Sequence, residues 1–142
     1  METLRLYALS FVGLPYKWGG DNPLTGFDCS GLIQELLASV GKDLPGDQTA
    51  QMLFDHFSKN GKWNHYACGS LAFFGKDALH ITHVSMLIDQ HRVVEATGQG
   101  MRISTIEEAK ANNAVVRIRL LKDRKDLIAI IRPDYQPTIG EL

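Results

Sequence analysis

The chain has 142 residues, which at roughly 100–200 residues per domain makes one domain, 1–142. Apolar residues make up 44% and charged residues 22%, a globular composition that excludes disorder, collagen-like repeats and disulfide-rich scaffolds. Lys and Arg number 15 against 16 Asp and Glu, a net charge of −1, so the chain carries no electrostatic footprint for nucleic acid or an anionic membrane.

Leu4, Leu6, Tyr7, Leu9, Phe11 and Val12 trace most of one helical face over 3–12, with Thr3 as its cap. Gly13 ends this helix and Pro15 forbids its continuation. Glu2, Arg5 and Ser10 break the apolar run that a secretory leader needs. The longest pure apolar run, Leu127–Ile131, falls far short of the ~18 residues of a membrane helix. The expected location is therefore cytoplasmic, phage-associated or reached by a route without a signal peptide. Residues 14–28 read as a long irregular loop containing Gly19-Gly20 and an Asn-Pro turn. A second helix opens at Cys29: Leu32, Ile33, Leu36, Leu37 and Val40 repeat at helical spacing, Asp28 stands at the N-cap, and Gly41 fits the position just past the end. A third helix is predicted over 49–59, with Met52, Leu53, Phe54 and Phe57 apolar.

After Gly69 the pattern changes to strands. Leu71–Phe74 reads as a short buried strand; His83–Ile88 and Arg92–Ala96 read as two more, joined by the turn Asp89-Gln90-His91. Met101–Ser104 reads as another. Thr105-Ile106-Glu107-Glu108 is a capping box opening a small helix. Val115–Leu121 and Leu127–Arg132 read as two strands around a charged tip, although strand then helix fits the second pair equally. The tip, Lys122-Asp123-Arg124-Lys125, carries its own acid and reads as a solvated turn. Helices first and strands later predict an α+β fold, with helices packed on one face of a mainly antiparallel sheet rather than a doubly wound arrangement.

Cys29 is the residue with chemical promise. At a helix N-terminus the first N–H groups are unpaired and the dipole is positive, which favours a thiolate and can hold an oxyanion. The other reading is a buried structural cysteine. A thiol nucleophile needs an imidazole base and a group to orient it. His56, His65, His80, His83 and His91 compete, and His83 opens a strand directly. Glu95 is an acid in an otherwise apolar stretch; if 83–88 and 92–96 form a hairpin, it lies near the His83 end. A buried carboxylate requires a partner. His80-x-x-His83 with either cysteine would offer soft metal ligands, but the two histidines differ by an odd number and face opposite sides of a strand, so no metal or other cofactor is expected. Two cysteines are too few for a disulfide framework, and Cys68 reads as structural.

Gly13-Leu14-Pro15-Tyr16-Lys17-Trp18-Gly19-Gly20 followed by Phe27-Asp28-Cys29-Ser30-Gly31-Leu32 resembles the N-terminal signature of the NlpC-type cysteine peptidases. Gly69–Phe74, His83-Val84-Ser85 and Val94-Glu95-Ala96 resemble that family's later motifs, so the likeness spans 13–97. It implies a papain-like α+β domain that hydrolyses amide bonds in bacterial cell-wall peptides, often between D-γ-glutamate and a diamino acid. It also implies Cys29 as nucleophile, His83 as base and Glu95 as the third residue, with Tyr16, Asp28 and Ser30 beside the substrate. The sequence departs from the family pattern at Ser70, where Asp is common, at Ser85, where Gly is usual, and at Glu95, where His is more frequent, with Asn and Gln as variants. A carboxylate can do the same orienting work. The expected partner is peptidoglycan or a muropeptide, with a phage particle or secretion machinery as further candidates. Two other readings stand beside this one: a papain-like acyltransferase or deamidase, and a catalytically silent phage-tail or wall-binding module.

Overall fold

Capping chemistry sets the helices of the N-terminal half. The computed structural model describes residues 1–22, 24, 26–98 and 103–136. Helix α1 spans Glu2–Ser10, α2 Cys29–Ser39 and α3 Ala50–Asn60. The Asp28 carboxylate accepts from the Gly31 N–H at 2.7 Å, and the Thr49 hydroxyl accepts from Met52 N–H at 3.2 Å. α2 ends as its sequence predicts. Gly41 takes φ +73°, its N–H bonds to the Ala38 carbonyl, and the Lys42 N–H bonds to Leu37, a Schellman closure. α1 differs: it starts at Glu2, so Thr3 lies inside it and no side chain caps it. Within the 14–28 loop, β1 (Asp21–Asn22) and β2 (Gly26–Phe27) form a small antiparallel ladder.

The main sheet contains β3 (Gly61–Trp63), β4 (Leu71–Gly75), β5 (Ile81–Leu87), β6 (Arg92–Ala96), β7 (Val116–Leu120) and β8 (Leu127–Pro133). Their order is β3-β8-β4-β5-β6-β7, antiparallel throughout. β5 and β6 form the expected hairpin. β7 and β8 are both strands, but they do not pair with each other. β7 lies on the outer edge of β6, whereas β8 crosses to fill the place between β3 and β4. The charged tip is thus a crossover containing a 3-10 turn, Leu121–Asp123. It is only partly solvated, because Arg124 lies 4.9 Å above the Phe74 ring and pairs with Asp126. β3 was not predicted. Its Gly61 permits a close approach to β8, where a Cβ would come within 2.5 Å of Ile131 Cγ2. Ile103 and Ser104 are not in a strand, and Met101 and Arg102 lie outside the described residues. The N-cap half of the capping box forms: Thr105 accepts from the Glu108 N–H at 3.1 Å and opens α4 (Ile106–Ala111), and the Glu108 carboxylate accepts from the Thr105 hydroxyl at 3.4 Å.

Strand alternation divides the core in two. Leu71, Phe73, Val84, Met86, Val94, Ala129 and Ile131 face the helices in one cluster. Their alternates Ala72, Phe74, Leu87, Val93 and Ile130 form a second, smaller cluster with Leu121 on the other face. A cavity of about 760 Å³ opens on that side and includes Arg124 in its wall, but neither Cys29 nor His83 lines it. Register breaks on both sides of β4 at one level. Phe74 faces His83 while Gly75 faces Ile81, leaving Thr82 as an extra residue; Phe73 faces Ala129 while Phe74 faces Leu127, leaving Ile128. Bulges of this kind bend a strand and re-aim the side chains beside them. This one adjoins His83.

Candidate active site

Asp28 ties the glycine loop to the start of α2. Its Oδ1 accepts from Gly31 N–H (2.7 Å) and the Ser30 hydroxyl (3.4 Å), its Oδ2 accepts from Gly19 N–H (3.0 Å), and its own N–H donates to the Gly20 carbonyl (3.0 Å). Both carboxylate oxygens are therefore engaged within the protein, while burial raises the acid's pKa against those bonds. A Cβ on Gly31 would overlap the Gly20 carbonyl oxygen, so only glycine lets the loop lie this close to the helix. This stitching presents Cys29 as the first residue of α2, packed against the helix-side core. Tyr16 is buried next to it: its N–H bonds to the Ala114 carbonyl at 2.9 Å, and a bridge links it to Phe27. Burial and the nearby Cys29 and Asp28 push its phenol above the ordinary range.

The backbone amides of Val84 on β5 and Ser30 on α2 both bear on the Cys29 thiol and favour its ionised form, as does the charge of Arg124. Burial outweighs them and pushes the thiol up to about 11. Burial thus offsets the favour that the helix N-terminus was expected to give the thiolate. Removing water costs the anion more than two amides and a distant cation return.

His83 and Glu95 meet as the hairpin predicts. His83 Nε2 lies 2.8 Å from Glu95 Oε1, with both side chains buried. Burial holds the imidazole below its ordinary pKa against the pull of Glu95, and the charges of Arg124 and Arg119 act in the same direction. Glu95 is 1% exposed, yet its carboxyl is held well below the usual range, because bonds from Arg119 and His83 outweigh its burial. Arg119 donates Nε to Oε2 at 2.6 Å and Nη2 to Oε1 at 2.7 Å; Arg117 Nε reaches Oε2 at 3.3 Å.

These arginines were missed in the sequence. A signal existed, since Arg117 and Arg119 alternate on one strand and an isolated buried acid needs cationic partners. Ser85 follows His83 on the same strand face, and its Oγ is fully buried with no hydrogen-bond partner among the described residues. The other histidines lie apart from this cluster; His80, for one, pairs with Asp77 at 2.7 Å in an exposed turn. Cys68 sits elsewhere, near the Met1 carbonyl. Among the described residues, no three His, Cys, Asp or Glu side chains are grouped to hold a metal ion.

Similarity to known proteins covers most of the chain. The NlpC/P60 family profile matches residues 13–120. The bifunctional muramidase/DL-endopeptidase CwlT of Bacillus subtilis (strain 168) is 35% identical over 123 residues, covering 85% of this chain and 36% of that protein. A gamma-D-glutamyl-L-lysine dipeptidyl-peptidase of the same organism is 31% identical over 118 residues, covering 77% and 37%. The crystal structure of an NLP/P60 family protein similar to lipoprotein from Staphylococcus aureus Mu50 superposes with a TM-score of 0.68 at 26% identity, covering 92% of this chain and 40% of that one. The chain spans little more than a third of the length of these curated relatives.

Proposed function

The chain belongs to the NlpC/P60 family, and from that premise we propose that it is a cysteine endopeptidase that cleaves peptidoglycan stem peptides through Cys29, His83 and Glu95. The observation that carries this reading is the buried His83–Glu95 pair at 2.8 Å, on the strand whose Val84 amide bears on the Cys29 thiol. With Nε2 engaged by Glu95, Nδ1 is the nitrogen left to exchange a proton with Cys29.

Each step follows from that arrangement. The Cys29 thiol gives its proton to His83 Nδ1, and the thiolate attacks the amide carbonyl carbon. The carbonyl oxygen becomes an oxyanion, which the Cys29 and Ser30 backbone amides at the start of α2 stabilise. The C–N bond breaks as imidazolium returns its proton to the leaving amine, and a thioester remains. His83 then takes a proton from water, the hydroxide adds to the thioester, and the carboxylic acid leaves as the Cys29 thiol reforms. Glu95 keeps the imidazole in one tautomer and orientation and stays ionised throughout. Tyr16, Asp28 and Ser30 flank the substrate.

The scissile bond proposed is D-γ-glutamyl to diamino acid. The relatives named as a DL-endopeptidase and as a gamma-D-glutamyl-L-lysine dipeptidyl-peptidase support that choice. The test is to incubate the protein and its Cys29→Ala variant with intact peptidoglycan and with defined muropeptides, and to identify products by mass spectrometry. A new γ-glutamyl terminus that depends on Cys29 is the expected result. Cleavage at another bond would overturn the specificity, and no Cys29-dependent product would overturn the reading as a peptidase.

A further inference from the structure

Glu95 is gripped from two sides. His83 Nε2 meets Oε1, while Arg119 spans both oxygens with its fork, at 2.6 and 2.7 Å. In the β6–β7 pairing Glu95 stands directly opposite Arg117, yet Arg119, two residues along, makes the closer contact by reaching across the diagonal. The Arg119 side chain is also the less exposed, 13% against 34% for Arg117. Its guanidinium lies 5.7 Å from the centre of the Phe74 ring, and that ring lies 5.5 Å from His83. A planar fork with two bonds and a ring beside it leaves the carboxylate little freedom to rotate.

We propose that Arg119 is a positioning residue for this hydrolysis: through its two-pronged hold on Glu95 it fixes the carboxylate against His83 and offsets its charge, so that the imidazole stays neutral and able to accept the Cys29 proton. The inference rests on the Cys29-His83-Glu95 reading. A lone carboxylate at hydrogen-bond distance favours imidazolium, and imidazolium cannot act as a base. The groups bearing on His83 are Glu95 from β6, Arg119 from β7 with Arg117 beside it, and Arg124 with Asp126 from the segment before β8, while the amide of the next residue, Val84, bears on the Cys29 thiol. Arg124 has its own carboxylate in Asp126, at 2.7 and 3.1 Å. Arg119 is thus the cation whose charge is set most closely against that of Glu95.

The test measures the pH profile of kcat/KM on a muropeptide amide for wild type, Arg119→Met, Arg119→Lys, Glu95→Gln and the Arg119→Met/Glu95→Gln double variant. A parallel NMR titration follows the His83 imidazole in Cys29→Ala protein with and without Arg119→Met. Loss of Arg119 should lower kcat about ten- to hundredfold through misplacement of the imidazole, with KM little changed. The acidic limb, where His83 protonates, should move up by about one pH unit, and the NMR pKa should move with it. Arg119→Lys should keep the limb in place and recover part of kcat. In the Glu95→Gln background, Arg119→Met should cost no further kcat and should move the limb less than in the wild-type background, through the direct charge of the guanidinium on His83 alone. A limb and an NMR pKa that stay put in Arg119→Met overturn the proposal even if kcat falls, because a structural role alone would do that. If Glu95→Gln itself leaves kcat and the profile unchanged, the triad reading fails, and the Arg119 proposal fails with it. Should Arg119→Met fail to fold, the Arg119→Lys profile and the NMR titration of that variant decide: full kcat with lysine removes the need for a fork.

Discussion

Gly31→Ala separates local helix energetics from tertiary packing. By propensity alone, alanine in the first turn of α2 should stabilise the protein by about 1 kcal/mol. Here its Cβ would overlap the Gly20 carbonyl oxygen and fall 2.8 Å from Asp28 Oδ1. Neither atom can simply give way. The Gly20 carbonyl accepts the Asp28 N–H, and Asp28 Oδ1 is the cap that holds the Gly31 N–H. Relief requires the loop to lift off the helix, losing a backbone bond worth about 1 kcal/mol and a cap worth about another. Residual overpacking adds about 1–3 kcal/mol. Net of the propensity gain, the variant should be about 2–4 kcal/mol less stable, a fall in Tm of roughly 10 °C for a chain of this size. Thermal unfolding followed by circular dichroism and guanidinium titration measures this directly. A Tm equal to or above wild type would refute the reasoning, because it would mean that the close approach does not constrain the loop.

Four further expectations follow from the same geometry. Glu95→Gln should cost about 3 kcal/mol at pH 7, since it leaves Arg119 and Arg117 without a charged partner. The Glu95 carboxyl is held below its ordinary value when folded, so its contribution is fully present above about pH 5 and fades as the pH falls through the folded value; denaturation at pH 7 and pH 3 should show the gap to wild type narrowing in acid, and an equal gap at both would count against it. Asp28→Ala should lose about 1–2 kcal/mol in guanidinium unfolding, as cap and loop tie disappear together. Ser85→Ala should gain about 1 kcal/mol by removing a buried hydroxyl that has no partner among the described residues, and a lower Tm would show that the hydroxyl has a role. In a Cys68→Ser background, iodoacetamide alkylation of Cys29 should quicken about tenfold per pH unit between roughly pH 7 and 10, as follows from a thiol held up to about 11; a rate already at its plateau below pH 7 would show a resting thiolate–imidazolium pair instead.

Short-range energies made much of this molecule legible in its sequence. The Asp28 and Thr105 caps, the Gly41 closure, the alternation of β4 to β6 and the β5–β6 hairpin depend on neighbours a few residues apart, so the pattern alone specified them. The placing of Cys29 at a helix start and of Glu95 on the strand beside that of His83 followed from the same local rules, although β5 begins at Ile81, so His83 is its third residue and not its head. Long-range pairing decided the rest. Nothing in the alternation of β7 and β8 tells whether they pair with each other, and only the competition among all strands for hydrogen-bonding edges sent β8 between β3 and β4 and left β7 on the outer edge. That choice carried Arg117 and Arg119 to Glu95 from more than 20 residues along the chain. The protonation of Cys29 was likewise a tertiary outcome: the helix start supplied stabilising amides, but desolvation depends on everything packed around the sulfur, and that sum exists only in the folded protein.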